Sequence, residues 1–230
     1  MIKFDPNERE KSFEEAMSIA KSLYPLHKSI AGQGIDKAFE ILQKNFDCLI
    51  HEYPTRSEIL SWKVPQSWRC DGASVTHLKT GRELFEFRSP LRVASHSNSF
   101  SGKLIGSELK RRCRCSKDPT ALLHQYFYYN DAWGLSLTED EFKSIIDEDE
   151  YHVLIDTKHY DGSLKVGELL LKGESESQIA FLSHLCHPAQ FNDGLVGVFL
   201  NLYFYNLLKI SKTYYSYKFL FMPETIGSIA

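Results

Sequence analysis

The sequence predicts an α/β fold in which parallel strands are flanked by helices, and three observations carry that expectation. Residues 179–224 read as strand, buried helix, strand, and such a crossover joins two parallel strands. Residues 7–46 hold two stretches of helical period. From about residue 57 to 101 the texture changes to short alternating runs broken by turns, the pattern of a small β-rich module. The expected organisation is therefore an α/β body formed by residues 1–56 and 120–230, with a β-rich insertion at 57–119.

In chain order, Asn7 to Leu23 places Phe13, Ala16, Met17, Ala20 and Leu23 at helical spacing, and Tyr24-Pro25 ends that helix. After the turn Ala31-Gly-Gln-Gly34, a second helix carries Ile35, Ala38, Phe39, Leu42 and Phe46 on one face. Cys48 to Tyr53 reads as a strand stopped by Pro54. The insertion offers four strand-like runs, Ile59–Val64, Ala73–Leu78, Leu84–Phe87 and Leu91–Ala94. Gly102 to Cys115 is basic and helical at its start, and a charge run of that size reads first as a solvated face. Thr138-Glu-Asp-Glu141 is a capping box opening a short helix. Tyr151–Asp156 and Leu164–Lys172 read as strands joined through the hairpin signal Asp161-Gly162.

The stretch that organises the rest begins at Ile179. A short apolar run to Ser183 suits a buried strand. His184, Cys186 and His187 follow, then Asn192-Asp193-Gly194. Leu195 to Leu208 is apolar on almost every face, which predicts a helix buried on all sides. Tyr217 to Met222 forms the second strand and runs into Pro223-Glu224. Parallel strands place their carboxyl ends on one edge of the sheet, where open α/β sheets bind ligands. His187, Asp193 and Glu224 are thereby expected on one rim.

Composition narrows the function classes. The chain is 43% hydrophobic and 25% charged with a net charge of −3, which points away from a nucleic-acid or membrane partner. The N-terminal segment is polar and charged, unlike a signal peptide. Five cysteines without disulfide spacing fit a reducing, cytoplasmic setting. The sequence stops at Ala230, six residues past Glu224, so the sheet is expected to continue in a longer chain. A sheet stopping there would leave an unpaired edge and the exposed flank of an apolar helix.

Histidine, aspartate and glutamate on one rim are the ligands of a zinc site, each presenting a lone pair when deprotonated. A plainer reading stands beside this one, with Asn192 or Asp193 capping the following helix and Glu224 a solvated loop residue. His184, three residues before His187, can approach the same ion from a strand end. Cys186 between them either faces that site or is a buried thiol without function. Cys113-Arg-Cys115 lacks a second ligand pair at finger spacing and reads as two free thiols.

Three strings, Ser183-His-Leu-Cys-His-Pro188, Asn192-Asp-Gly-Leu-Val-Gly197 and Pro223-Glu-Thr-Ile-Gly-Ser228, carry a family resemblance. Upstream, Tyr24-Pro-Leu-His-Lys-Ser-Ile-Ala-Gly-Gln-Gly34, Trp62-Lys-Val-Pro-Gln-Ser-Trp68, Trp133-Gly-Leu-Ser-Leu137 and Tyr151-His-Val-Leu-Ile-Asp156 agree with it. The chain resembles the bacterial aminopeptidase-like domain proteins associated with polysaccharide biosynthesis, distant relatives of the co-catalytic zinc aminopeptidases. The resemblance implies a three-layer, phosphorylase/hydrolase-like α/β sandwich with an inserted β-rich domain. It also implies a longer parent carrying further sheet and a winged-helix domain after Ala230.

Carried over residue by residue, the resemblance implies that His187 binds metal, Asp193 bridges, and Glu224 is the general base toward water. One or two zinc ions and a small peptide-like or aminoacyl substrate are implied in the complete protein. Two departures stand out. Thr225 occupies the place of a second glutamate. The aspartate the relatives carry two residues after the first histidine is Ala189 counted from His187, or Cys186 counted from His184. The remaining ligands would lie beyond residue 230. The retained His187, Asp193 and Glu224 favour a zinc-dependent hydrolase acting on an amide or N-terminal peptide bond, whereas the missing second glutamate favours a rival reading, a non-catalytic binding or regulatory module that keeps the fold.

Overall fold

A computed structural model describes residues 4–229. In chain order the elements are α1 (Pro6–Leu23), α2 (Gln33–Asn45), β1 (Leu49–Pro54), β2 (Glu58–Ile59), β3 (Trp62–Lys63), β4 (Ser67–His77), β5 (Phe100–Ile105), α3 (Gly106–Arg112), β6 (Cys113–Cys115), β7 (Leu135–Leu137), α4 (Glu139–Lys143), β8 (Glu150–Tyr160), β9 (Ser163–Leu171), β10 (Gln178–His184), α5 (Val196–Leu208), β11 (Ser216–Met222) and α6 (Ile226–Ile229). A kinked turn, Phe191–Leu195, precedes α5. Among the described residues no helix is long and apolar enough to cross a membrane.

The chain divides into two compact units, residues 1–67 with 161–230, and residues 68–160. In the first, four strands run in the order β1-β9-β11-β10. β1 and β11 lie antiparallel to β9, whereas β10 and β11 are parallel, with Phe181 opposite Phe219. The expected adjacency of the Ile179 and Tyr217 strands is therefore present.

Side-chain alternation gives this sheet two apolar faces. Leu169, Phe219 and Phe221 pack with Leu23 of α1, Phe39 and Leu42 of α2, and Val198 and Leu202 of α5. Leu164, Val166 and Met222 pack with Val64, Ile59 and Trp62 around the β2–β3 hairpin. Fully burying side chains of this size contributes roughly 1.5–3 kcal/mol each. Gly167 is part of the reason α2 can lie so close: a Cβ there would stand 2.5 Å from the Phe39 ring.

The helix α5 departs from expectation. It is not covered on all sides, because Leu200 is 40% and Phe204 37% exposed. Its neighbour β10 lies at the sheet margin, where Leu182 is 56% exposed.

The second unit contains the three-stranded sheet β4-β8-β5 and the parallel pair β6–β7. Trp68, Val75, Leu109, Leu135, Leu137, Val153 and Ile155 form its core. Its extent differs from the expected 57–119 because β8 pairs with β5, Phe100 opposite Ile155, and so draws residues 120–160 into the same unit. For the same reason Asp161-Gly162 is not a hairpin: β8 and β9 belong to different sheets. The turn is held instead by Arg56 and Gln66, which donate to the Asp161 carboxylate at 2.9 and 3.1 Å. Leu84–Phe87 forms no strand, with an isolated bridge only just before it at Glu83, and Leu91–Ala94 forms only an isolated bridge at Val93. The basic stretch resolves into the end of β5, then α3, then β6. The capping box at Thr138 and Glu141 is formed as expected.

Candidate metal centre

The parallel pair brings its chemistry to one edge. β10 ends on His184, opposite Met222 at the end of β11. Leu185 continues the pairing by donating its N–H to the Met222 carbonyl at 2.9 Å. Glu224 lies two residues beyond that point, and Asp193 sits in the kinked turn that enters α5. One nitrogen of His184 and one oxygen each of Asp193 and Glu224 lie within 4.8 Å of one another.

His187 lies in the same place. Its Nε2 is 3.3 Å from Glu224 Oε2 and its Nδ1 is 3.8 Å from Asp193 Oδ1. The three residues expected from sequence are thus together. The nitrogen that joins both carboxylates in the three-donor group belongs to His184, which sequence reasoning had left open. The signal that could have found it was its position at the very end of the strand.

The plainer reading of Asp193 finds no support, since no side chain caps the start of α5. Asp193 and Gly194 leave helical geometry altogether, with Gly194 at φ +133°. The loops on either side of the group also contain strained backbone: Ala189 has φ +46° and Thr225, beside Glu224, φ +57°. A β-branched residue in that region is an outlier, and such strain concentrates at functional sites.

Cys186 anchors the group from below. It is 1% exposed, its sulfur accepts the Glu224 backbone N–H at 3.2 Å, and it lies 3.6 Å from His187 Nδ1. Burial pushes its thiol up to about 11, so it is a neutral thiol at physiological pH. Lys28 is equally buried, and its Nζ donates to the Leu23 carbonyl at 2.6 Å. Burial lowers its ammonium to about 8.

The donor set fits a zinc ion. An imidazole nitrogen and carboxylate oxygens are donor types that zinc accepts, so His184 and Asp193 would supply two ligands with Glu224 beside them. A cation there also relieves the repulsion between two neighbouring carboxylates.

This architecture is that of the aminopeptidase-like α/β proteins. It superimposes on a zinc aminopeptidase from Bacillus subtilis with a TM-score of 0.58 over 98% of this chain and 65% of that one, at 8% identity, a likeness of fold alone. The chain belongs to the family described as a domain of unknown function, DUF4910, whose model matches residues 17–230.

A Clostridium acetobutylicum protein named "Putative polysaccharide biosynthesis protein with aminopeptidase-like domain" is 37% identical over 219 residues, covering 94% of this chain and 50% of that protein. A crystal structure of a "putative peptidase" from the same organism matches with a TM-score of 0.89 at 36% identity, over 97% of this chain and 53% of that one. The chain thus spans about half the length of the relatives it matches.

Proposed function

We propose that this chain contributes the first half of a zinc-dependent amide-hydrolase site of the aminopeptidase type. The observation that carries the reading is the meeting of His184, Asp193 and Glu224 within 4.8 Å at the carboxyl ends of two adjacent parallel strands. His184 and Asp193 would hold the ion, and Glu224 would take the proton from the attacking water and pass it to the departing amine. The chemistry a zinc ion would supply there is Lewis acidity toward a carbonyl oxygen and toward water. The zinc aminopeptidase that shares the fold supports an N-terminal peptide bond or aminoacyl amide as substrate. The name of the curated relative adds a setting in polysaccharide biosynthesis. All five cysteines are free, which fits a reducing compartment.

The second reading, a binding module that keeps the fold, is favoured by Thr225 and Cys186 standing where relatives of the aminopeptidase type carry acidic residues. Metal analysis of the full-length protein beside hydrolysis of an aminoacyl-amide panel separates the two. His184→Ala and Asp193→Ala are expected to lose zinc. Glu224→Gln is expected to keep it while the rate falls about 10²- to 10⁴-fold. Stoichiometric zinc without hydrolysis of any amide supports the module instead.

A further inference from the structure

Cys186 and His187 are left over once His184, Asp193 and Glu224 have been assigned. Both are inside the site and both touch Glu224. The Glu224 backbone N–H donates to Cys186 Sγ at 3.2 Å. Cys186 Sγ faces His187 Nδ1 at 3.6 Å. His187 Nε2 faces Glu224 Oε2 at 3.3 Å. The three contacts close a ring that leaves the Glu224 main chain and returns to its carboxylate.

For a neutral imidazole the ring has one consistent direction. A thiol has a single proton and a sulfur lone pair. With the lone pair taking the Glu224 N–H, the S–H is free to point at Nδ1. Nδ1 then accepts, the ring proton resides on Nε2, and Nε2–H donates to the carboxylate. The other neutral tautomer sets the Nε2 lone pair against a carboxylate oxygen, an electrostatic clash. Asp193 Oδ1, 3.8 Å from Nδ1, is beyond hydrogen-bond reach and acts on the ring only as a neighbouring charge.

Burial gives the ring its stiffness. Cys186 is 1% exposed and the His187 side chain 11%, whereas the Glu224 side chain is 48% exposed. Two residues fixed in the protein thus hold one that reaches into solvent beside a strained Thr225.

We infer that Cys186 and His187 are positioning residues for Glu224, the thiol holding its main chain and the imidazole aiming its carboxylate toward the ion. This rests on the reading of Glu224 as the base. It also gives His187 a part that is distinct from metal ligation.

The test uses the full-length protein, with activity, zinc content and histidine NMR read together. Displacing a catalytic group by about 1 Å can cost of the order of 10²-fold. Cys186→Ala and His187→Ala are expected to lower kcat about 10- to 100-fold, with KM and zinc content within twofold of wild type. Cys186→Ser, which keeps both a donor and an acceptor, should recover most of the rate, and His187→Gln should exceed His187→Ala. Because the two act as one unit, the double alanine variant should be no worse than the weaker single.

Nitrogen-15 NMR of the unaltered, metal-free protein should show His187 as the Nε2–H tautomer, a readout independent of activity. The Nδ1–H tautomer, loss of zinc in either alanine variant, or full rate in Cys186→Ala overturns the inference. If instead Glu224→Gln keeps the wild-type rate, it is the hydrolase reading that falls, while the tautomer still decides the clamp.

Discussion

Gly194 lies against the backbone of His184: a Cβ on Gly194 would stand 2.5 Å from the His184 carbonyl oxygen and 2.9 Å from its Cβ. With φ at +133°, Gly194 also occupies backbone space that L side chains rarely enter. One glycine thereby lets the turn carrying Asp193 close over the end of β10.

Gly194→Ala should therefore separate the donor group. Forcing a side chain into such a conformation costs about 1–3 kcal/mol, and the contact with His184 adds to that. Urea unfolding should show the stability loss, and metal analysis should show lowered zinc content in whatever remains folded. Unchanged stability would mean that the turn relaxes freely and that Gly194 does not set the spacing of His184 and Asp193.

Asn201, 4% exposed on α5, joins the helix to both site strands. Its Nδ2 donates to Ser183 Oγ at 3.0 Å, and reaches the carbonyls of Leu220 at 3.3 Å and Phe181 at 3.4 Å. Asn201→Ala should destabilise the protein by about 1–3 kcal/mol, the cost of a buried polar group left unpaired. Asn201→Asp should cost more at neutral pH, because a carboxylate would face carbonyl oxygens. Its folded-state pKa would be raised, so that variant should regain stability as the pH falls and the acid becomes a donor. Chemical denaturation at pH 7 and pH 5 reads the difference, and an aspartate variant that weakens further in acid would contradict it.

Lys28 gives a prediction at alkaline pH. Burial lowers its pKa from 10.5 to about 8. The unfolded chain therefore binds more protons than the native one between those values, and native stability rises with pH across that window. Relative to Lys28→Met, the wild type should gain about 2–3 kcal/mol between pH 7 and pH 10. Comparing the two proteins removes the ionisations that both share. A constant difference across that window would show that the Lys28 ammonium is not held in an apolar setting.

Several parts of this molecule were legible in the residues themselves. The helical period of Phe13 through Leu23 and of Ile35 through Leu42, the capping box at Thr138, and the crossover from Ile179 to Met222 all appear in the structure. Each is a local pattern whose partners lie within a few residues, or within one supersecondary unit. The hairpin expected at Asp161-Gly162 failed for the opposite reason. A turn signal specifies that the chain reverses, but not which strands it will join, and β8 and β9 pair elsewhere.

By itself, then, the sequence determined that an imidazole, an aspartate and a glutamate would meet at the carboxyl end of two parallel strands. Strand period and crossover direction are properties of the chain over a few dozen residues. Only the tertiary structure decided which imidazole faces which group. His184 and His187 are three residues apart on a backbone leaving a strand, and their directions depend on the buried Cys186, on the bend at Ala189 with φ +46°, and on the space left by Gly194. The extent of the second unit was likewise decided by long-range pairing, with β8 recruiting β5 from some fifty residues upstream. Contacts of that kind rest on side-chain fit between distant segments, which no single stretch of sequence encodes.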